Sequence, residues 1–450
     1  MRLLVAGLIV VSISRIHQSI SVIGLFRPAL LLVGLAAAYA FLNPRKLAPF
    51  AILRTFPARM VMALGVMACI SAPFGISLGS SASFILQDYS KVLLAAFLIL
   101  ITIRNVADLY TYIWAFAIST GLLAFTSVFI SGVSVTSDGL ARLSGSASYD
   151  ANDTGTVILV GLTLTLIVFQ MVRGVSKVAL VGVLLLSGAT LAKTGSRGAF
   201  VGLVAVGGAL LVLLDRVSIV KRVGVVVVLV LGLAVAAPQG YWDQMGSLLS
   251  PKEDYNWTSP TGRKAVTTRG IGYMMRNPIT GIGVGNFPRA EGLLSERGQA
   301  FRPGLKGVKW SAAHNSFLQP AAEMGIPGFV LFCMLVFGSM RLMFRLRKRL
   351  PKQVDRADPE MRLLTLAALY LPVALIAFAV AGFFVSFAYL DLLYMLSAIV
   401  AGTIFCIETR LGARPASGRA PAAAAPAPVP AHRAATGRRI GGFVPHRMRR

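Results

Sequence analysis

Residues 154–172 read TGTVILVGLTLTLIVFQMV, a stretch without one Asp, Glu, Lys, Arg or His. A helix that crosses a bilayer needs about 20 predominantly apolar residues, because the hydrocarbon core is about 30 Å thick and each helical residue rises about 1.5 Å. A second apolar run, 177–193, starts after the short polar break RGVS. The same alternation continues in both directions along the chain. It places spans near 3–18, 24–42, 59–78, 90–104, 107–131, 154–172, 177–193, 198–214, 222–238, 318–340, 363–384 and 390–407. The expected fold is therefore an all-α integral membrane protein with about 12 transmembrane helices. The opening stretch MRLLVAGLIVVSIS is similar to a signal peptide but lacks a small-residue cleavage site, so it reads as the first span.

Composition supports the same conclusion. Apolar residues make up 56% of the 450 positions, charged residues 14%, and mean hydropathy is +0.74. Soluble chains carry roughly 25% charged residues, and a charge at a helix centre costs about 2.5–3.5 kcal/mol on the insertion scale. A set of soluble domains is excluded. The balance is 44 basic to 17 acidic residues, +27 overall. In a soluble protein that excess would suggest nucleic acid; here basic loops facing the cytoplasm are the first explanation. Cys69, Cys333 and Cys406 each lie in an apolar stretch, so neither a disulfide framework nor a metal cluster is expected.

The distribution of charge orients the chain. With the N-terminus inside, the cytoplasmic loops hold 18 basic residues, eight of them between Arg341 and Arg362, and the short outer loops hold six. This places both termini in the cytoplasm. Four regions follow: an N-terminal bundle of about nine spans (1–238), an extracytoplasmic loop (239–317), a C-terminal bundle of about three spans (318–408) and a basic tail (409–450). Loops longer than about 15 residues are usually functional or disordered. The 239–317 loop carries Trp242, Trp257 and Trp310 and a helical pattern over 261–276; it is expected to form a folded helical lid. The tail, with PAAAAPAPVPAHRAATGRR at 421–439, cannot bury a core and is expected to be disordered.

Four segments, all on the outer side, depart from apolar filler: RLSGSASYDANDTG (142–155), KTGSRGAF (193–200), GRKAVTTRGIGYMMRNPITGIGVGNF (262–287) and AAHNSFLQPAAEMGIPGF (312–329). In their order, SRGAF, NPITGIGVGNF and HNSFLQPAAEMGIPG resemble the bacterial O-antigen ligase and O-antigen polymerase superfamily, over roughly residues 140–390. That resemblance implies a membrane glycosyltransferase that uses lipid-linked glycans.

Each segment supplies candidate residues with two readings. Arg197 sits at a membrane–water boundary, where it either snorkels or presents its planar donor fork to phosphate; the resemblance favours phosphate. Arg269 and Arg276 are seven apart and share a helix face, with Arg263 and Lys264 near its start. They form either a solvated face or a cationic site for a lipid-linked diphosphate, Arg269 foremost. His314, flanked by Asn315 and Ser316, has an imidazole whose ordinary pKa of about 6.5 suits a proton acceptor; it could equally donate to phosphate. Glu323 lies in an apolar stretch, where an ionisable residue is a functional candidate by default; its other reading is a pairing with a nearby Arg that fixes the lid. Asp150, Asn152 and Asp153 are either sugar ligands or the polar cap of the following span. GIGVGN (281–286), ending in Asn286, follows no strand of a βαβ unit and is not a dinucleotide loop. Its glycines suit a tight turn with close backbone approach, to a diphosphate among other possibilities.

No pair of outer-loop carboxylates has metal-binding spacing, so the expectation is an enzyme without metal or other cofactor. In that reading Arg197, Arg269 and His314 act on the reaction, and Arg263, Arg276, Asn152, Asn286, Asn315 and Glu323 bind substrate. The resemblance implies an inverting transfer of a glycan from a polyprenyl-diphosphate carrier to an acceptor hydroxyl, expected at the outer face of the bacterial inner membrane. The acceptor is a glycolipid or polysaccharide in the ligase reading. Repeat-unit polymerase and protein O-oligosaccharyltransferase are the neighbouring alternatives. A transporter of lipid-linked glycans would need charges near the midplane of its spans, and few are found.

Overall fold

A computed structural model describes residues 1–135, 141–144, 149–214, 218–220, 222–224, 227, 237, 240–248, 259, 262–295, 311–351 and 357–412. Among the described residues, eight helices are long and apolar enough to cross a membrane: Phe56–Phe74, Leu78–Thr102, Val106–Phe129, Ala151–Met171, Val175–Thr194, Leu318–Arg349, Pro359–Phe384 and Asp391–Gly412. Shorter apolar helices, Arg2–Ser14, Pro28–Leu42 and Arg197–Leu213, occupy three further expected positions. The span expected at 222–238 lies largely outside the described residues. The protein is thus an all-α, multi-pass membrane protein. Residues Met1–Glu408 form one compact unit; the second, Thr409–Arg450, is described only to residue 412, so the expected disordered tail lies outside the described residues.

Helix Ala151–Met171 is central, packed against Val106–Phe129, Val175–Thr194, Arg197–Leu213 and Pro359–Ala381. Apolar surface gains little from moving between lipid and protein, so membrane helices associate through close van der Waals fit at small residues. A β carbon on Gly161 would lie 2.0 Å from Thr120 Oγ1, and one on Gly202 would lie 2.5 Å from a Leu159 methyl. Several hydroxyls within the spans are satisfied by their own helix: Thr120, Thr165 and Thr403 each donate to the carbonyl four residues earlier.

Two sequence expectations need correction. The polar break GSSASFILQDY at 79–89 is not an outer loop but part of helix Leu78–Thr102, with a π-helical stretch at Ile85–Tyr89. Its serines do not open the helix, because Ser77 caps the N-terminus by accepting from Ser80 N–H and Ser81 Oγ donates to the Val284 carbonyl. The loop before Ala151 also contains a short antiparallel pair, Val133–Val135 with Ala141–Leu143.

The C-terminal half positions the site through a helix that breaks. Leu318–Cys333 contains Gly325 in a non-helical conformation (φ 68°, ψ −164°), followed by Pro327. The break frees the Ala322 and Glu323 carbonyls, which accept from the N–H groups of Ile282 and Gly283. Ile326 N–H in turn donates to the Pro278 carbonyl. A segment of the 239–317 loop is thereby stitched into the bundle by main-chain bonds.

Candidate active site

The sequence SRG forms a tight corner. Gly195, in left-handed conformation, ends helix Val175–Thr194, and Ser196 starts the next by accepting from Ala199 N–H. Arg197 is therefore the first residue of helix Arg197–Leu213, where free backbone N–H groups and the helix dipole already favour an anion. Its guanidinium donates to Ser247 Oγ at 2.9 Å. Arg142 approaches the same corner, donating to the Thr194 carbonyl (3.0 Å) and to Asn152 Oδ1 (3.2 Å). Burial lowers the Arg142 pKa from its ordinary value; Asp150 opposes this and the neighbouring charge of Arg197 adds to it.

The helix expected over 261–276 is observed as Arg263–Arg276, with Gly262 at its N-cap. Arg263 places its guanidinium over the ring of Phe384, 5.4 Å from the centroid. Phe384 also packs against the Arg197 corner: a β carbon on Gly198 would lie 2.6 Å from the Phe384 Cβ. The strip leading to the broken helix meets the same turn. His314 N–H donates to Ser386 Oγ (2.8 Å), Ser316 N–H to the Gly382 carbonyl, and Ser316 Oγ to the Val385 carbonyl. His314 is exposed and holds a left-handed backbone (φ 48°), uncommon for a residue with a side chain. The turn at 382–387 is thus where the corner of Arg197, the start of helix Arg263–Arg276 and the strip of His314 converge.

Most of the other candidates are held by partners of their own. Arg269 is engaged with Glu291, which is 3% exposed: its Nε donates to Oε1 at 2.9 Å and to Oε2 at 3.1 Å, and Tyr273 also donates to Oε1. This bonding raises the Arg269 pKa from its ordinary value. Arg276 is exposed in the last turn of its helix, where a cation complements the C-terminal dipole. Asn315 Oδ1 accepts from Phe317 and Leu318 N–H groups and so caps the broken helix. Asp150 is the N-cap of Ala151–Met171 in a reciprocal capping box with Asp153. Asn152 faces Arg142.

The glycine loop departs from expectation in what it approaches. Gly281, Gly283 and Gly285 all have positive φ (68°, 92° and 75°). A β carbon on Gly281 would lie 2.3 Å from the Glu323 carbonyl carbon, on Gly283 2.8 Å from the Gly75 Cα, and on Gly285 2.7 Å from the Phe84 ring. The close approach is therefore to the protein's own backbone and core. Asn286 is fully buried, donating to Ser81 Oγ (3.0 Å) and the Ile282 carbonyl (3.1 Å). Glu323, also fully buried, pairs with no arginine among the described residues; its carboxylate accepts from Gly285 N–H (2.9 Å) and Phe287 N–H (2.8 Å). It does fix the loop, through main-chain donors.

Both features yield expected results. Glu323→Ala leaves the buried Phe287 N–H without an acceptor, at about 1–3 kcal/mol, and the part-buried Gly285 N–H as well. A lower thermal midpoint in detergent is expected, with Glu323→Gln intermediate because one acceptor oxygen remains. Arg269→Ala strands the Glu291 carboxylate, so adding Glu291→Gln should recover stability. A double-mutant cycle on thermal unfolding should show coupling of about 0.5–3 kcal/mol; additive losses would contradict the pairing.

Residues that sequence reasoning missed are Phe384, Ser386, Glu291 and the ion pair of Arg15 with Asp391. Arg15 donates to Asp391 Oδ2 at 2.8 Å and lies over the ring of Tyr149, whose ring is 6.1 Å from that of Phe387. Arg15 and Asp391 are both visible as charges beside apolar runs; Phe384 and Ser386, within GFFVSFAYLD, carry no local signal. Among the described residues, no three His, Cys, Asp or Glu side chains cluster to hold a metal.

No curated protein matches the chain. Residues 181–333 match the family model described as O-Antigen ligase, a span of roughly a third of the chain. It runs from within helix Val175–Thr194 through the Arg197 corner, helix Arg263–Arg276, the glycine loop and His314 to the end of the broken helix at Cys333. Over these residues the multi-pass membrane protein is thus similar to the O-antigen ligase family, the superfamily that the ordered motifs resemble.

Proposed function

We propose that the protein is a metal-independent, inverting glycosyltransferase that moves a glycan from a polyprenyl-diphosphate carrier to an acceptor hydroxyl on a glycolipid. The site lies at the outer face of the bacterial inner membrane, with both termini in the cytoplasm and about twelve spans between them. The observation that carries this reading is the convergence of the Arg197 corner, Arg263 and the His314 strip on the turn at 382–387. The Arg263 guanidinium lies on this turn, and the backbone beside Arg197 and the backbone N–H of His314 pack against it, which gathers the residue types that the reaction needs. The anomeric carbon is attacked in line by the acceptor oxygen. His314 takes the proton from that hydroxyl as the new C–O bond forms. The bond from the anomeric carbon to the diphosphate oxygen breaks, and Arg197 and Arg263, supported by Arg142, neutralise the charge on the leaving group. In this reading Arg269 and Arg276 extend the cationic surface of the lid helix along the carrier, and Asn152 and Asn315 border the sugar. Asn286 and Glu323 act on substrate only through the loop they hold.

Surface glycans of a deletion strain test the assignment. A ligase predicts loss of polymer from the glycolipid acceptor while lipid-linked polymer accumulates. Single repeat units on the acceptor would instead mean a polymerase, and an unchanged acceptor with glycan lost from protein would mean a protein oligosaccharyltransferase. With purified donor and acceptor, transfer should persist in EDTA; loss restored by Mn²⁺ would overturn metal independence.

A further inference from the structure

Helix Leu318–Arg349 carries a second, separate feature at the end away from His314. Phe337, Met340, Arg341, Phe344, Arg345 and Lys348 line one open trough of about 370 Å³, within the ~300–1,000 Å³ range of small-molecule sites. Their spacings of three, four, seven, eight and eleven place them on a single helical stripe. The opposite face is committed to the protein: Ser339, Met343 and Leu346 are buried. A β carbon on Gly338 would lie 2.6 Å from the Phe56 ring. The π-helical stretch Met334–Gly338 just before it adds a residue to the turn and resets which side chains face outward.

The stripe is cationic and unpaired. Arg341, Arg345 and Lys348 are exposed, and among the described residues no carboxylate lies within ion-pair distance of them. Arg347, on another face, is occupied with the Leu213 carbonyl. At about 1.5 Å per residue the three cations lie about 22–33 Å along the helix from Ile326, against a hydrocarbon core of about 30 Å. The charges therefore reach the far boundary while Phe337 and Met340 remain at acyl depth. A lone interfacial cation only snorkels. Three on one stripe, interleaved with aromatic and thioether side chains, offer a phosphodiester two guanidinium forks and an ammonium, and offer its chains an apolar wall.

We propose that the outward stripe of residues 337–348 binds one anionic glycerophospholipid, its phosphodiester on Arg341, Arg345 and Lys348 and its upper acyl chains along Phe337, Met340 and Phe344. The site is independent of glycosyl transfer and faces the opposite membrane boundary.

Native mass spectrometry of the purified full-length protein, with phosphatidylglycerol or phosphatidylcholine added to the micelles, tests it. The wild type should retain phosphatidylglycerol in preference to phosphatidylcholine. R341Q/R345Q/K348Q should lose that preference by about 10²-fold, at about fivefold for each interfacial cation. The control R45Q/K46Q/R54Q removes as many charges from another basic turn and should keep it. Should the triple variant lose its helical circular dichroism, R345Q alone carries the test, with about a fivefold loss expected. Equal retention of both lipids by the wild type, or equal loss in the control, would overturn the site. A dimer abolished in the triple variant while lipid retention is unchanged would assign the stripe to a second copy of the chain instead.

Discussion

Arg197→Ala is expected to reduce glycan transfer by about 10²–10³, the typical effect of removing one preorganised donor to a developing anion, while the protein inserts at normal levels. The guanidinium stands on the first residue of a helix whose cap belongs to Ser196, so truncating the side chain leaves the turn intact. Arg197→Lys retains the charge but not the planar fork, and should recover only part of the rate. Ser247→Ala should change little, because Ser247 Oγ supplies one hydrogen bond to the guanidinium and nothing to the reaction. Transfer on purified lipid-linked donor, normalised to protein in the membrane, is the measurement. Wild-type rates for Arg197→Ala would show that the side chain only snorkels at the interface.

His314 should give a loss of about 10²–10⁴ when its imidazole is removed, the usual contribution of a positioned base. The substitution must respect the backbone. At φ 48° alanine is strained, whereas asparagine tolerates the left-handed region. His314→Asn therefore removes the base and keeps the N–H that bonds Ser386. Both His314→Ala and His314→Asn should retain donor binding, and their residual rate should lose the dependence on acceptor acidity that a base imposes. Donor binding that disappears with His314→Asn would make the imidazole a phosphate ligand and leave the proton to another group.

Arg263 illustrates how far local reading reached. Its place at the start of a helix was legible from the run GRKAVTTRGIGYMMR, but its partner, the ring of Phe384, lies 121 positions away in an unremarkable apolar stretch. Arg269 was legible as a cation sharing a face with Arg276, yet Glu291, which holds it, sits across the glycine loop. Asn286 ends the glycine run that suits a close backbone approach; the structure buries it against Ser81, which lies between the spans expected at 59–78 and 90–104.

The membrane-spanning, all-helical character of the chain was determined by the sequence alone. The reason is the solvent: within a bilayer a chain must satisfy its own backbone, so a long uncharged run has one outcome. Which helix faces meet was decided only in the tertiary structure. A leucine toward lipid and a leucine toward protein are equivalent by hydropathy, and interhelical contact is selected by shape at residues such as Gly161 and Gly202. The same packing turned the Glu323 carboxylate to main-chain donors, joined Arg15 to Asp391 across nearly the whole chain, and brought the Arg197 corner, Arg263 and His314 to one turn. Each of these depends on two faces meeting at close range, a relation that no spacing along a single segment encodes.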